Sequence, residues 1–74
     1  MKILSNFKIN DKVRIKCINC GINFKRRLVE LGLFDGSEIR ILKNDSYSPL
    51  ILEIFDSKVA LDRVEAEKIY AEKI

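Results

Sequence analysis

The run Asn23-Phe24-Lys25-Arg26-Arg27-Leu28-Val29-Glu30-Leu31-Gly32-Leu33-Phe34-Asp35-Gly36 holds a helix, its stop and the following turn. Asn23 suits an N-cap, because its short side chain can accept an otherwise orphaned backbone N–H. Phe24, Leu28 and Leu31 follow at helical spacing. Gly32 stands where a chain leaves a helix through the left-handed region, a conformation in which a Cβ is strained. The spacing predicts a helix of about two to three turns over Asn23 to Leu31. Its outer face carries Lys25, Arg26 and Glu30, with Arg27 beside them. Asp35-Gly36 is a turn signal.

Strands flank this unit on both sides. Val13-Arg14-Ile15-Lys16-Cys17-Ile18 alternates apolar and basic, which places Val13, Ile15 and Cys17 inward and Arg14 and Lys16 in water. Asn19-Cys20-Gly21 ends it. On the other side Glu38 to Lys43 alternates again, and the polar segment Asn44 to Pro49 reads as a loop. Leu50 to Phe55 has Glu53 as its one polar residue, the pattern of a centrally placed strand. Asp56-Ser57 is short enough to close a hairpin into Lys58-Val59-Ala60-Leu61. Asp62 can cap a single helical turn, and Ile69 to Lys73 is the last strand. The class is mainly β: about five short strands, with one short α-helix inserted after the first. Closure into a small barrel would hide the edges that so few strands expose. Pattern alone leaves an SH3-like and an OB-type barrel both open.

Length allows one domain, residues 1–74. A folded chain of this size exposes roughly 4,700 Å² and buries about 60 % of its unfolded surface, enough for a modest core. Its residues are 47 % hydrophobic and 34 % charged, a globular balance. The longest apolar run, Leu50-Ile51-Leu52, is far short of the roughly 20 residues that span a bilayer. Lys2 is followed by only Ile3 and Leu4 before Ser5 and Asn6, which is no leader pattern, so the expected location is cytoplasmic. No histidine is present, which removes the commonest general base and a major metal ligand. Neither a G-x-G-x-x-G nor a Walker spacing occurs, and no nucleophile stands beside a base, so no catalytic or cofactor-binding residue is assigned. The charge is uneven: residues 1–43 carry 10 basic and 4 acidic groups, and residues 44–74 carry 4 and 7. A basic half of this kind fits an acidic partner.

A family likeness enters with Leu4-x-x-Phe7, Val13-x-Ile15-x-x-Ile18 and Arg27-Leu28-x-Glu30-Leu31-Gly32-Leu33-x-x-Gly36. Pro49-Leu50 opening a strand and Ala60-Leu61 followed by Ala66 and Ile69 extend it. This frame covers almost the whole chain and resembles the FeoA domain of bacterial ferrous iron uptake. Its most specific part is Arg27 through Gly36. The chain departs from the family's usual Pro-Gly before the first strand, where it has Ile9-Asn10, and Asn tolerates a left-handed backbone. Asp35 replaces the usual Pro before the second glycine, and Asp62 stands where an Arg commonly follows Ala-Leu, with Arg63 one place later. The resemblance implies an SH3-like barrel and a non-enzymatic accessory that binds the cytoplasmic side of the ferrous iron transporter, whose cytoplasmic part is a GTP-binding domain. The protein would meet the membrane only through that transporter. The same barrel is similar to the C-terminal domain of iron-dependent repressors, an alternative reading beside a small basic nucleic-acid-binding module.

Two motifs remain. Cys17-Ile18-Asn19-Cys20 is a lone C-x-x-C, and a tetrahedral metal site needs four ligands. Because Cys17 falls in phase with Val13 and Ile15, a small core hydrophobe is the preferred reading, ahead of a zinc ion shared between chains or a redox pair. No metal is therefore assigned, with Cys17 and Cys20 as the candidate ligands. Lys25-Arg26-Arg27 is a basic run on the helix and the candidate partner-binding patch. Nucleic acid ranks below protein for it, because the nearest aromatic, Phe24, lies on the apolar stripe of the helix. Arg27 is placed to pair with Glu30 or to cap backbone carbonyls.

Overall fold

Six strands lie in one antiparallel sheet in the computed structural model, counted among residues 1–18, 21–45 and 47–74, which the structure describes apart from the side chains of Cys17 and Ile18. The strands are β1 (Lys2–Ile3), β2 (Lys12–Ile18), β3 (Glu38–Lys43), β4 (Leu50–Ile54), β5 (Ser57–Leu61) and β6 (Ile69–Lys73). They are ordered β1-β6-β2-β3-β4-β5. The five expected strands are present, and β1 is added. Two residues cannot display an alternating pattern, which is why β1 escapes a periodicity reading; it is held by pairing Lys2 with Ala71 and Ile3 with Tyr70. A 3-10 turn (Leu4–Asn6), helix α1 (Ile22–Glu30) and helix α2 (Arg63–Ala66) complete the elements.

The sheet order is open, yet the molecule measures 28 × 25 × 24 Å. A flat six-stranded sheet would be roughly 24 Å wide and only about 10 Å thick, so this sheet curls around its own core. Register shifts between Ile15 and Cys17 in β2, and between Ile41 and Lys43 in β3, supply the bends. The accessible surface of 4801 Å² matches the value expected from chain length. Inside lie Val13 and Ile15 of β2, Ile39 and Ile41 of β3, Leu50, Leu52 and Ile54 of β4, Leu61 of β5, and Ile69 and Ala71 of β6. Leu4, Phe7, Leu28, Leu33 and Ala66 close the ends.

The helix departs from its expected bounds. It starts at Ile22, with Gly21 as an N-cap in extended conformation and no side-chain cap, so Asn23 lies within the first turn. At the far end Leu31 is the C-cap and Gly32 adopts φ +90°. The Gly32 N–H donates to Val29 O at 3.0 Å and the Leu33 N–H to Leu28 O at 2.8 Å. This is the Schellman pairing, and it brings Leu33 back beneath Leu28. Leu33 thereby takes the buried place that spacing assigns to Leu31, which stays exposed.

Two further turns set surface groups. The Lys8–Asp11 turn has Asn10 at φ +74°, in the place of the family's usual glycine. β4 ends one residue early: Phe55 leaves the strand at φ +54°, and Ile54 pairs with Ser57 around a two-residue turn, Phe55-Asp56. In α2, Asp62 accepts from the Glu65 N–H at 2.8 Å and Glu65 reaches back to the Asp62 N–H at 3.2 Å, a complete capping box.

Candidate functional site

The basic run of α1 divides on folding. Lys25 and Arg26 are exposed and enter no ion pair among the described residues. Arg27 Nη1 donates to Glu65 Oε2 at 2.7 Å, an ion pair that ties α1 to α2 and replaces the expected pairing with Glu30. Phe24 is partly buried, with Lys68 Nζ 5.7 Å from its ring centroid. Cys20 and the Cys17 side chain lie outside the described residues; the Cys17 backbone pairs with Tyr70. Among the described residues no three His, Cys, Asp or Glu side chains converge as a metal site.

A different surface carries a groove. Phe34, 47 % exposed, and Phe55, 83 % exposed, line one surface groove of about 540 Å³. Ile39 and Ile54, each 2 % exposed, lie beneath, and Lys12, Arg40, Glu38 and Glu53 flank the opening. Phe34 opens a turn in which Gly36 has φ +95° and the Ser37 N–H donates to Phe34 O at 2.9 Å. The Ser37 hydroxyl accepts from the Phe34 N–H at 3.0 Å and donates to Gly32 O at 2.8 Å. The Gly36 N–H then donates to Ile15 O, anchoring the turn on β2. Phe34 is thus held at both its N–H, by the Ser37 hydroxyl, and its carbonyl, by the Ser37 N–H. Sequence reasoning missed this pair, although the signal was parity: Leu50, Leu52 and Ile54 point inward, so Phe55 falls in the outward phase.

The charges beside the groove run in register. Lys12 of β2 faces Arg40 of β3, Arg40 faces Glu53 of β4, and Glu53 faces Lys58 of β5. Three cations thus share a row with one carboxylate, and none of the three enters an ion pair among the described residues. The neighbouring charges are paired: Arg14 Nη2 lies 3.5 Å from Oε2 of Glu38, itself at the groove opening, and Lys16 Nζ lies 3.3 Å from Glu72 Oε1.

Two carboxylates away from the groove shape loops instead. The Asp11 carboxylate accepts from the Lys8 N–H at 2.9 Å, and this bond, helped by Lys73, holds its pKa below the usual range. Asp45 is lowered likewise, first by the Tyr47 N–H and then by Ser48. Arg63 secures the same loop: its Nε donates to Ser48 O at 2.9 Å and its Nη1 to Asn44 Oδ1 at 2.6 Å. Asn44 in turn donates to the Ser5 and Phe7 carbonyls.

A curled antiparallel sheet of six strands with one short helix, carrying its candidate surface on turns rather than in an enclosed pocket, defines a small SH3-like module. The chain belongs to the FeoA family: the FeoA domain matches residues 2–73. A curated relative from Methanocaldococcus jannaschii, named "Putative Fe(2+) transport protein A", is 32 % identical over 65 residues, 88 % of this chain and 78 % of the relative. The crystal structure of an iron uptake regulatory protein (FeoA) superposes with a TM-score of 0.87 at 27 % identity, covering 99 % of this chain and 96 % of that one. A manganese-dependent transcriptional repressor shares the fold alone, with a TM-score of 0.89 at 17 % identity over 41 % of its length.

Proposed function

We propose that this protein is a non-enzymatic, cytoplasmic accessory of ferrous iron uptake that binds the cytoplasmic side of the membrane transporter for ferrous iron. The observation that carries this reading is the FeoA match across residues 2–73. The name of the M. jannaschii relative supports the link to Fe(2+) transport. Within such a role the module works by contact. It offers apolar and cationic groups on a rigid sheet, and the free energy of docking would bias the transporter between its states. Lys25 and Arg26 remain part of the proposed contact surface, while Arg27, committed to Glu65, serves it by fixing α1.

Uptake of radiolabelled ferrous iron under iron limitation tests the proposal. Deletion of the gene should lower uptake, re-expression should restore it, and the protein should co-purify with membranes only when the transporter is present. Unchanged uptake in the deletion strain would overturn the reading.

A further inference from the structure

We propose that the groove between Phe34 and Phe55 docks a short extended segment of a partner protein, in which an apolar side chain is flanked by carboxylates. The proposal rests on the reading above that this protein works by binding a partner protein, and it names the surface and the chemistry that surface recognises.

Three observations converge on the groove. The first is Phe55 itself. It occupies the first central position of a two-residue hairpin turn at φ +54°, where glycine is favoured and a bulky side chain is strained. The residue is 83 % exposed and so contributes little to the core. A strained, exposed aromatic residue is accounted for by what it touches outside the molecule. The second is the company it keeps. Phe34 stands in the same groove on a turn fixed by Ser37, Gly36 and the Ile15 carbonyl, above Ile39 and Ile54. An apolar side chain entering there meets a Phe34 whose turn is already fixed, which lowers the ordering cost of binding. The third is charge. Lys12 and Arg40 line the groove and enter no ion pair among the described residues, Glu38 at its edge is taken up by Arg14, and Lys58 continues the row beyond Glu53. The unpaired groove cations therefore outnumber the unpaired carboxylate and complement an acidic segment.

The same row separates a peptide from a nucleic acid. Exposed aromatic residues beside lysine and arginine would also serve stacked bases. Glu38 and Glu53, however, line the opening. A phosphate chain carries a charge at every nucleotide and would bring some of them against these carboxylates, whereas a peptide can place its acidic residues opposite Lys12, Arg40 and Lys58 only.

The test is a titration of the isotopically labelled protein, followed by amide chemical shifts. The probes are acetylated, amidated peptides: Asp-Glu-Leu-Phe-Asp-Glu, the charge-reversed Lys-Lys-Leu-Phe-Lys-Lys and the apolar-deleted Asp-Glu-Ser-Ser-Asp-Glu, with octathymidylate as the nucleic-acid arm. The acidic apolar peptide should give saturable shifts centred on Gly36, Ile39, Arg40 and Phe55, and bind about tenfold more tightly than either altered peptide. Phe55→Asn, which relieves backbone strain and therefore folds, should weaken it about tenfold. Arg40→Glu should shift preference toward the basic peptide. The amide spectrum of each variant reports its fold directly. Absence of saturable shifts, shifts centred elsewhere, indifference to charge reversal, or tighter binding of octathymidylate at these residues would each overturn the proposal. Full iron uptake by Arg40→Glu and Phe55→Asn strains, with uptake lost on gene deletion, would overturn the groove and leave the accessory role standing. Peptide binding as described with uptake indifferent to deletion would do the reverse.

Discussion

Phe55 carries a cost that one substitution measures. A left-handed conformation costs an L-residue roughly 1–2 kcal/mol, and Asn bears it better than Phe. Since the residue is mostly exposed, Phe55→Asn should raise stability by about 1 kcal/mol, read from the urea midpoint. A gain in stability together with weaker peptide binding is the signature of a residue kept for contact rather than for folding. The glycines of the neighbouring turns make a matched pair. Gly36 at φ +95° has open space around the position of a Cβ, so Gly36→Ala should cost roughly 1–2 kcal/mol from backbone strain alone. Gly32 at φ +90° has Ile54 Cγ2 only 3.3 Å from that position. Gly32→Ala should therefore cost more than Gly36→Ala, and equal urea midpoints for the two variants would contradict the packing described for the helix end.

Elements are held together here by caps more than by length. α2 is four residues long, too short to persist without its capping box, so Asp62→Ala should cost about 1 kcal/mol and Asp62→Asn much less, measured by thermal unfolding. The Arg27–Glu65 pair joins the two helices, and with Arg27 mostly exposed a double-mutant cycle should return a coupling below about 1 kcal/mol. How far these elements could be read in advance depended on the physics of each. β2 and β3 announced themselves by alternation, because one face of each strand meets the core, β4 by its nearly unbroken apolar run, β5 by the short turn before it, and Asp62 announced α2 through its cap. β1 did not, since its two residues are fixed only by hydrogen bonds to β6, a partner nearly seventy residues away in sequence. The exchange of Leu31 for Leu33 was hidden because periodicity runs straight through a helix end, whereas the chain reverses there. The groove was illegible for a related reason. Phe34 and Phe55 come from turns on different elements, and only the curled sheet brings them together.

At the scale of the whole molecule, acid should loosen the fold through its loops. Asp11 and Asp45 have folded pKa values below their ordinary ones, Asp11 chiefly through the Lys8 N–H and Asp45 chiefly through the Tyr47 N–H. A carboxyl lowered in this way stabilises the fold fully above its unfolded value, about 3.9, and loses that contribution as pH falls through the lowered folded value. Urea midpoints followed downward from about pH 5 should therefore decline, and decline less steeply in an Asp11→Asn, Asp45→Asn double variant. Equal slopes would show that neither loop carboxylate senses folding. The pairing of Lys2 with Ala71 has a consequence of another kind. First and last strands are rungs of one ladder, so the polypeptide can be rewired without moving an atom of the core. A short flexible linker joining residue 74 to residue 1, with a new opening after the exposed Tyr47, yields a circular permutant. That permutant should refold to the same sheet, and the same juxtaposition lets the module sit in the middle of a longer polypeptide as readily as alone.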